Sequence, residues 1–181
     1  MSLSHPLSDA LARADLIHDR ATLDASIARV GGELDTALAG ERAVFLSVMH
    51  GGMIFAGQLA LSMKTDVEFD YVHATRYRGA TTGSSDLHWM RQPAATLNGR
   101  TVIVVDDILD EGKTLKAIRD FCRDRGARRV LIAVLCEKKH GRCIEGICSD
   151  FCGVEVPDRY VFGYGMDYHE QGRNLPGIYA I

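Results

Sequence analysis

The chain has 181 residues, of which 46% are hydrophobic and 25% charged, and its formal net charge at pH 7 is −3. These values are typical of one soluble domain over residues 1–181, and the slight acidity argues against a nucleic-acid binder, which usually carries a basic face. No apolar run approaches the ~20 residues that span a bilayer, and no signal-peptide core is evident, so we expect a cytoplasmic protein.

Two helices are predicted ahead of the first strand. The first is a short helix over residues 6–18, which we expect to lie over the sheet. The second is capped by Thr22, and its apolar residues recur at helical steps until Gly40 ends it. These apolar residues are Leu23, Ile27, Val30, Leu34 and Leu38.

The first central strand is predicted over Ala43 to Met49, and a helix over Met53 to Met63. His50-Gly51-Gly52 joins them. Its two glycines permit either a close approach of the backbone to a ligand or a tight strand-to-helix turn. Val67 to Tyr77 alternates apolar and polar residues, which predicts a strand with one face less buried.

The segment from Arg78 to Arg91 has no periodicity. It is rich in Gly, Ser and Thr, yet it contains Trp89. A loop of this length in a compact domain is usually functional or disordered. A passive, hairpin-like excursion is the alternative.

The most informative stretch runs from Val102 to Thr114 and reads VIVVDDILDEGKT. Its β-branched run predicts a strand buried on both faces of a parallel sheet. Asp106 and Asp107 follow at the carboxyl end of that strand, where ligands bind in open α/β sheets. Acids there suit a diol or a metal, and a turn that opens a helix suits a phosphate. A phosphorylated sugar carries both groups.

This stretch has two alternative interpretations. A P-loop requires a glycine five residues before Gly112, and that position is Asp107. Solvated acids at a strand end are possible as well. Three acids around two apolar residues, however, tolerate burial badly without a cation or a polyol.

The remaining elements continue the alternation of strands and helices. A helix is predicted over Thr114 to Arg125 and a buried strand over Arg129 to Cys136. This order predicts a doubly wound, mainly parallel sheet. Two short strands are predicted over Asp150 to Val156 and Arg159 to Gly165.

Five cysteines lie between residues 122 and 152, and an odd number without a secretion signal favours free thiols. Cys143, Cys148 and Cys152 are close to His140 in sequence, so zinc is an alternative. They include no C-x-x-C pair, which favours burial as small apolar side chains.

The VIVVDDILDEGKT stretch resembles the signature of type I phosphoribosyltransferases, and VEVPDRYVFGYGMDYHEQGRNLP extends the match to the hypoxanthine-guanine branch. The resemblance implies a sheet core over about residues 40–140, flanked by helices. It also implies a small hood built from the N-terminal helix and about residues 150–181. A mobile loop over about residues 78–91 would act as a lid, with Arg76 and Tyr77 at its hinge.

The resemblance implies a reaction of hypoxanthine or guanine with 5-phosphoribosyl 1-diphosphate (PRPP), assisted by Mg²⁺. On that match Asp106 and Asp107 bind the ribose hydroxyls and metal, and Asp167, beside the purine, binds a second magnesium ion. The 5′-phosphate lies against Asp110, Glu111, Gly112, Lys113 and Thr114. The diphosphate lies against His50, Gly51 and Arg173.

The same match implies roles at the purine. Asp110 is the general base that takes the N7 proton, and Lys138 faces the 6-oxo group. Tyr160 stacks on the ring, and the Val161 backbone reads the purine edge. The chain departs from the family at Glu111, where Thr or Ser is usual, and at His50, where many relatives carry Lys.

Three alternatives stay open within this resemblance: a xanthine-preferring enzyme, an adenine enzyme, and a PRPP-sensing regulator that binds nucleic acid. The match at Lys138 disfavours adenine. The chain has the general base of the family, Asp110, and lacks a basic stripe. Both features favour an enzyme over the regulator. Relatives commonly form dimers or tetramers, so a homo-oligomer is expected.

Overall fold

The computed structural model of the chain describes residues 5–76 and 87–181. In chain order its elements are α1 (Leu7–Leu11), β1 (Asp15–His18), α2 (Arg20–Leu38), β2 (Val44–Met49), α3 (Met53–Ser62), β3 (Glu68–Arg76), β4 (Leu87–Arg91), β5 (Thr101–Leu109), α4 (Lys113–Asp124), β6 (Arg129–Lys138), β7 (Phe151–Val156), β8 (Val161–Phe162) and β9 (Ile178–Ala180). A six-stranded sheet has the order β4-β3-β2-β5-β6-β7, and a three-stranded sheet has the order β1-β9-β8.

The six-stranded sheet is parallel except for its edge strand β4, which runs antiparallel to β3. β2 and β5 are neighbours at its centre. From β2 the chain continues outward to β3, whereas from β5 it continues in the opposite direction to β6 and β7. The carboxyl ends of β2 and β5 therefore form a topological switch point. The predicted doubly wound, mainly parallel sheet is confirmed.

The central strand β5 is covered by helices on both faces. Ile103 and Val105 pack in the core that α2 and α3 form on one face, whereas Val102 and Val104 pack in the core under α4. Successive side chains of a strand point to opposite faces, so a strand covered on both sides needs an unbroken apolar run. β5 continues past this run, so that Asp106 and Asp107 belong to the strand itself.

Helix α2 packs against α3 and supplies much of the core on that face. The predicted cap was wrong. Asp19 is the N-cap, and its carboxylate accepts a hydrogen bond from the backbone N–H of Thr22 at 2.8 Å. Aspartate and threonine both cap helices well, so sequence did not separate the two positions. Gly31 permits the close packing of the two helices, because a Cβ there would overlap the Ser62 side chain.

The hood is confirmed as a small sheet of terminal segments, but its boundaries differ from the prediction. Residues 6–18 form α1 and then strand β1, which pairs with β9, rather than one helix. β7 pairs with β6 in the main sheet, so the hood begins after residue 156 and not near 150. Both errors concern pairing with strands distant in sequence, which short apolar patterns do not reveal.

The predicted loop over residues 78–91 ends earlier than expected, because its last five residues are β4. Trp89 lies in this strand and packs against Phe121, with ring centroids 4.6 Å apart. Arg76 ends β3. Tyr77 and residues 78–86, to which the lid function was assigned, lie outside the described residues. Among the helices of the described ranges, none has the length and apolarity needed to cross a bilayer.

Candidate active site

A cleft of about 570 Å³ opens at the switch point. One wall is formed by the end of β2 and its turn, another by the end of β5 and the loop into α4, and the hood contributes Arg173. Many of the predicted site residues line it: His50, Gly51, Asp106, Asp107, Asp110, Glu111, Gly112, Thr114 and Arg173. The structure thus brings the predicted sugar-phosphate and diphosphate residues to one place.

Asp106, which is buried, and Asp107, which is half-buried, form an acidic pair in this cleft. Asp106 is only 8% exposed, and its carboxylate accepts a hydrogen bond from the Asp107 backbone N–H at 2.9 Å. Burial and then the adjacent Asp107 charge raise the pKa of Asp106 well above its usual range. Burial also raises the pKa of Asp107, although its hydrogen bond with Asp106 and the charge of Arg173 act in the other direction. A pair of this kind is stabilised by a cation or by hydroxyl donors.

Glycines allow the turn after β2 and the hood to approach this pair closely. A Cβ on Gly51 would overlap the Oδ2 atom of Asp107. Gly165, with φ of 109°, lies so close to the Gly51 carbonyl oxygen that a Cβ there would overlap it. A side chain at either position would meet occupied space, the Asp107 carboxylate at Gly51 and the Gly51 carbonyl oxygen at Gly165, and the positive φ of Gly165 favours glycine as well.

The turn that opens α4 presents backbone N–H groups to the cleft. Gly112 is the N-cap, has φ of 78°, and offers no side chain to cap the helix. Within residues 5–76 and 87–181, no acceptor of the protein bonds the N–H groups of Lys113, Thr114 and Leu115. A free first turn at the positive end of a helix is an anion site. The Glu111 carboxylate pairs with Lys113 Nζ at 2.7 Å, which offsets its negative charge beside that turn.

Two histidines line the cleft at the carboxyl ends of β2 and β3. The Met49–His50 peptide bond is cis. The His50 ring contacts His73 of β3 edge-on, with centroids 4.4 Å apart. Burial, and then the neighbouring His50, lower the pKa of His73. Both residues line the cleft, as Arg173 does.

Asp110 is held by two nitrogen donors. Lys138 Nζ lies 2.9 Å from its Oδ2 atom, and His140 Nε2 bonds its Oδ1 atom. Burial alone would raise the pKa of Asp110, but the hydrogen bonds from Lys138 and His140 outweigh it, so the pKa is lowered. The two hydrogen bonds therefore fix the orientation of the Asp110 carboxylate.

The remaining predicted residues in the described part of the chain do not line the cleft. Lys138 connects to it through Asp110. Asp167 connects to it through Arg173, whose Nη2 lies 2.8 Å from the Asp167 carboxylate. Tyr160 is 47% exposed, and its hydroxyl donates to the Asp167 carbonyl oxygen at 3.1 Å.

Val161 has a backbone suited to reading a ligand edge. Its neighbour Tyr160 exchanges both backbone hydrogen bonds with Ile181, at 3.2 and 3.0 Å. Bonded and non-bonded pairs alternate along antiparallel strands, so Val161, opposite Ala180, directs its N–H and C=O groups away from β9. β8 is the edge of its sheet, so these groups point to the open side.

Comparisons with known proteins agree on one family. Residues 14–169 match the phosphoribosyl transferase domain model. The hypoxanthine-guanine phosphoribosyltransferase of Streptococcus pneumoniae is 35% identical over 161 residues, which cover 89% of this chain and 88% of that protein. The chain belongs to the phosphoribosyltransferase family.

Solved structures place this phosphoribosyltransferase in the type I fold. The hypoxanthine phosphoribosyltransferase of Staphylococcus aureus superposes with a TM-score of 0.86 at 25% identity, covering 92% of this chain and 90% of that one. A hypoxanthine-guanine phosphoribosyltransferase of Bacillus anthracis gives a TM-score of 0.86 at 27% identity, with coverage of 92% and 98%. The fold predicted from sequence is therefore confirmed.

Sequence analysis missed four residues of the phosphoribosyltransferase site. His73 lies opposite Met49 in the parallel register of β2 and β3, so the shared carboxyl edge was a usable signal. Glu170 lines the cleft from the hood, and Gly165 touches the Gly51 carbonyl; no local pattern indicated either. His140 was considered only as a zinc ligand, although it lies two residues after Lys138 at the same sheet edge.

The acidic pair fits a magnesium ion. Across the described ranges, no cluster of three or more His, Cys, Asp or Glu side chains forms a ready-made metal site. Mg²⁺, however, is commonly bound through one or two carboxylates together with substrate oxygens and water. Asp106 and Asp107 supply such oxygens, and their raised pKa values reflect a charge that a cation would stabilise. The carboxylate of Asp167 is paired with Arg173.

Proposed function

We propose that this phosphoribosyltransferase joins hypoxanthine or guanine to PRPP, giving IMP or GMP and diphosphate. The observation that carries the proposal is that the Asp106–Asp107 pair and the uncapped start of α4 lie in one cleft. The names of the similar proteins support the choice of purine.

The ribose 5-phosphate part of PRPP would bind to hydrogen-bond acceptors at its ribose hydroxyls and to hydrogen-bond donors at its phosphate. Asp106 and Asp107 accept hydrogen bonds from the ribose hydroxyls, directly or through metal-bound water. The N–H groups from Gly112 to Leu115 and the Thr114 hydroxyl donate to the 5′-phosphate. The two contacts fix the sugar at both ends, which places its C1 atom.

Bond cleavage at C1 creates positive charge on the ribose ring and negative charge on the diphosphate. Arg173 and the backbone N–H groups at His50 and Gly51 face the leaving group and stabilise its charge. Mg²⁺, held by Asp106 and Asp107 with Asp167 as the proposed ligand of a second ion, would supply further positive charge when bound. The loop that precedes β4 is proposed to close over the site and exclude water.

Asp110 and Lys138 would act on the purine. Asp110 takes the N7 proton as the bond to N9 forms, and its oriented carboxylate suits a general base. Lys138 donates to the 6-oxo group of hypoxanthine or guanine. The 6-amino group of adenine is a donor, so it leaves Lys138 unpaired, and such a buried mismatch discriminates strongly. Tyr160 stacks on the ring, and the Val161 backbone binds its edge.

The test is an assay of the purified protein with PRPP and magnesium, offered hypoxanthine, guanine, xanthine and adenine in turn. We expect turnover of hypoxanthine and guanine and little with adenine. Preference for xanthine would make this a xanthine enzyme. Binding of PRPP without turnover of any base would favour the regulator. Sedimentation of the same sample tests the proposed homodimer or homotetramer.

A further inference from the structure

The segment after β6 covers the loop that carries Asp110. We call residues 140–147 the strap. The Ile144 N–H donates to the Glu111 carbonyl oxygen at 3.0 Å, and Arg142 makes two hydrogen bonds to Asp158, at 2.7 and 2.6 Å. Ile147 packs so close to Gly112 that a Cβ there would lie 2.5 Å from its Cγ2 atom. The strap is therefore fixed both to the loop that carries Asp110 and to Asp158, which lies between β7 and the hood strand β8.

His140 begins the strap and has both ring nitrogens engaged. Its side chain is 3% exposed. The backbone N–H of Arg142 donates to Nδ1 at 3.0 Å, so Nδ1 carries no proton. Nε2 therefore carries the ring proton and donates it to the Oδ1 atom of Asp110. One backbone contact thus sets the tautomer that bonds the carboxylate.

We propose that His140 is a positioning residue for the general base Asp110, an inference that rests on the proposed function. Asp110 is 39% exposed, so little else restricts its carboxylate. When Lys138 turns to the purine 6-oxo group, its bond to Oδ2 is lost, and among the described residues His140 is the remaining hydrogen-bond partner of the carboxylate. Oδ2 then takes the proton from purine N7, while Oδ1 stays bonded to His140, which keeps its own proton.

The first test compares His140→Ala with His140→Gln. We expect His140→Ala to lower kcat for hypoxanthine by about 10–100-fold, the usual effect of losing an orienting partner, while KM for PRPP changes by less than about threefold. Glutamine places an N–H donor at similar reach, so His140→Gln should recover most of the loss. Equal losses in both variants, or a loss confined to KM for PRPP, would overturn the proposal.

The second test separates orientation of Asp110 from general support of the fold. His140→Ala is combined with Asp110→Asn, whose carboxamide cannot act as the base. If His140 acts through Asp110, the added substitution costs little further activity. Losses that multiply would show that His140 supports the site in another way.

The third test does not depend on activity. ¹⁵N NMR of labelled histidine should show His140 protonated at Nε2 only, with a resonance that moves in Asp110→Asn and stays in Asp124→Asn. Asp124 is a matched control because it is an exposed aspartate at the end of α4 that does not line the cleft. A proton on Nδ1, or no response to Asp110→Asn, overturns the proposal even if His140→Ala fails to fold. An inactive wild-type protein with the expected spectrum would instead refute the proposed function and the catalytic role with it.

Discussion

Gly51 and Asp107 occupy adjoining space so tightly that a single Cβ on the glycine would overlap the carboxylate of the acid. The turn after β2 and the acidic end of β5 are thereby fixed against each other at the centre of the sheet. The backbone that faces the diphosphate and the acids that face the ribose are positioned by the same contact.

This contact predicts the effect of Gly51→Ala. Overpacking should cost about 1–3 kcal/mol of unfolding free energy. Displacement of the site by about 1 Å should lower kcat/KM for PRPP by ~10²-fold. Gly57→Ala in α3 is the matched control, because open space surrounds that position. Steady-state kinetics and urea unfolding measure both effects, and an active Gly51→Ala variant would show that the contact is dispensable.

Asp110→Asn removes the proposed base with little change in shape. We expect kcat to fall by about 10²–10⁴, the usual contribution of general-base catalysis. Binding of PRPP, measured by calorimetry, should stay close to wild type. Asp120→Asn should leave turnover unchanged. Full turnover in Asp110→Asn would remove this residue from the proton transfer.

Lys138→Ala tests selection of the purine. Loss of a charged hydrogen bond, worth about 1.5–3 kcal/mol, should lower kcat/KM for hypoxanthine by about 10–100-fold. The effect on KM for PRPP should be much smaller. Lys139→Ala is the control, because that side chain is 56% exposed and pairs with Glu155. Equal losses for both substrates would assign Lys138 a structural role.

The raised pKa of Asp106 predicts how stability changes with pH in the absence of added metal. Its folded pKa lies above the unfolded value of about 3.9, so the folded protein binds more protons, and stability falls as pH rises through the folded pKa. Asp106→Asn should therefore raise the free energy of unfolding at pH 7 by about 1–2 kcal/mol. Urea unfolding between pH 5 and pH 8 provides the measurement, with Asp124→Asn on the surface as the control. A less stable Asp106→Asn protein at pH 7 would contradict the sign.

The local sequence pattern was sufficient to predict the centre of the site. The apolar run before Asp106 predicted a strand covered on both faces, and Gly112 marked the start of α4. Both signals lie within a few residues of the side chains they position. The acids and the amide turn could therefore be placed at one sheet edge from sequence.

Contacts between distant segments could not be read in the same way. β7 was predicted as a strand, but its pairing with β6 depends on register over many residues. β4 is only five residues long, and its hydrogen bonds with β3 define it. His140 reaches Asp110 across 30 positions of sequence, so its role follows from the packing of the strap alone.

A crystal structure of the protein with IMP is the direct test of the proposed binding mode. We expect the 5′-phosphate to lie on the N–H groups from Gly112 to Leu115 and the ribose hydroxyls to face Asp106 and Asp107. The hypoxanthine ring should lie between Lys138 and the Val161 backbone. A cleft without nucleotide at saturating IMP, or a phosphate bound away from the start of α4, would contradict it.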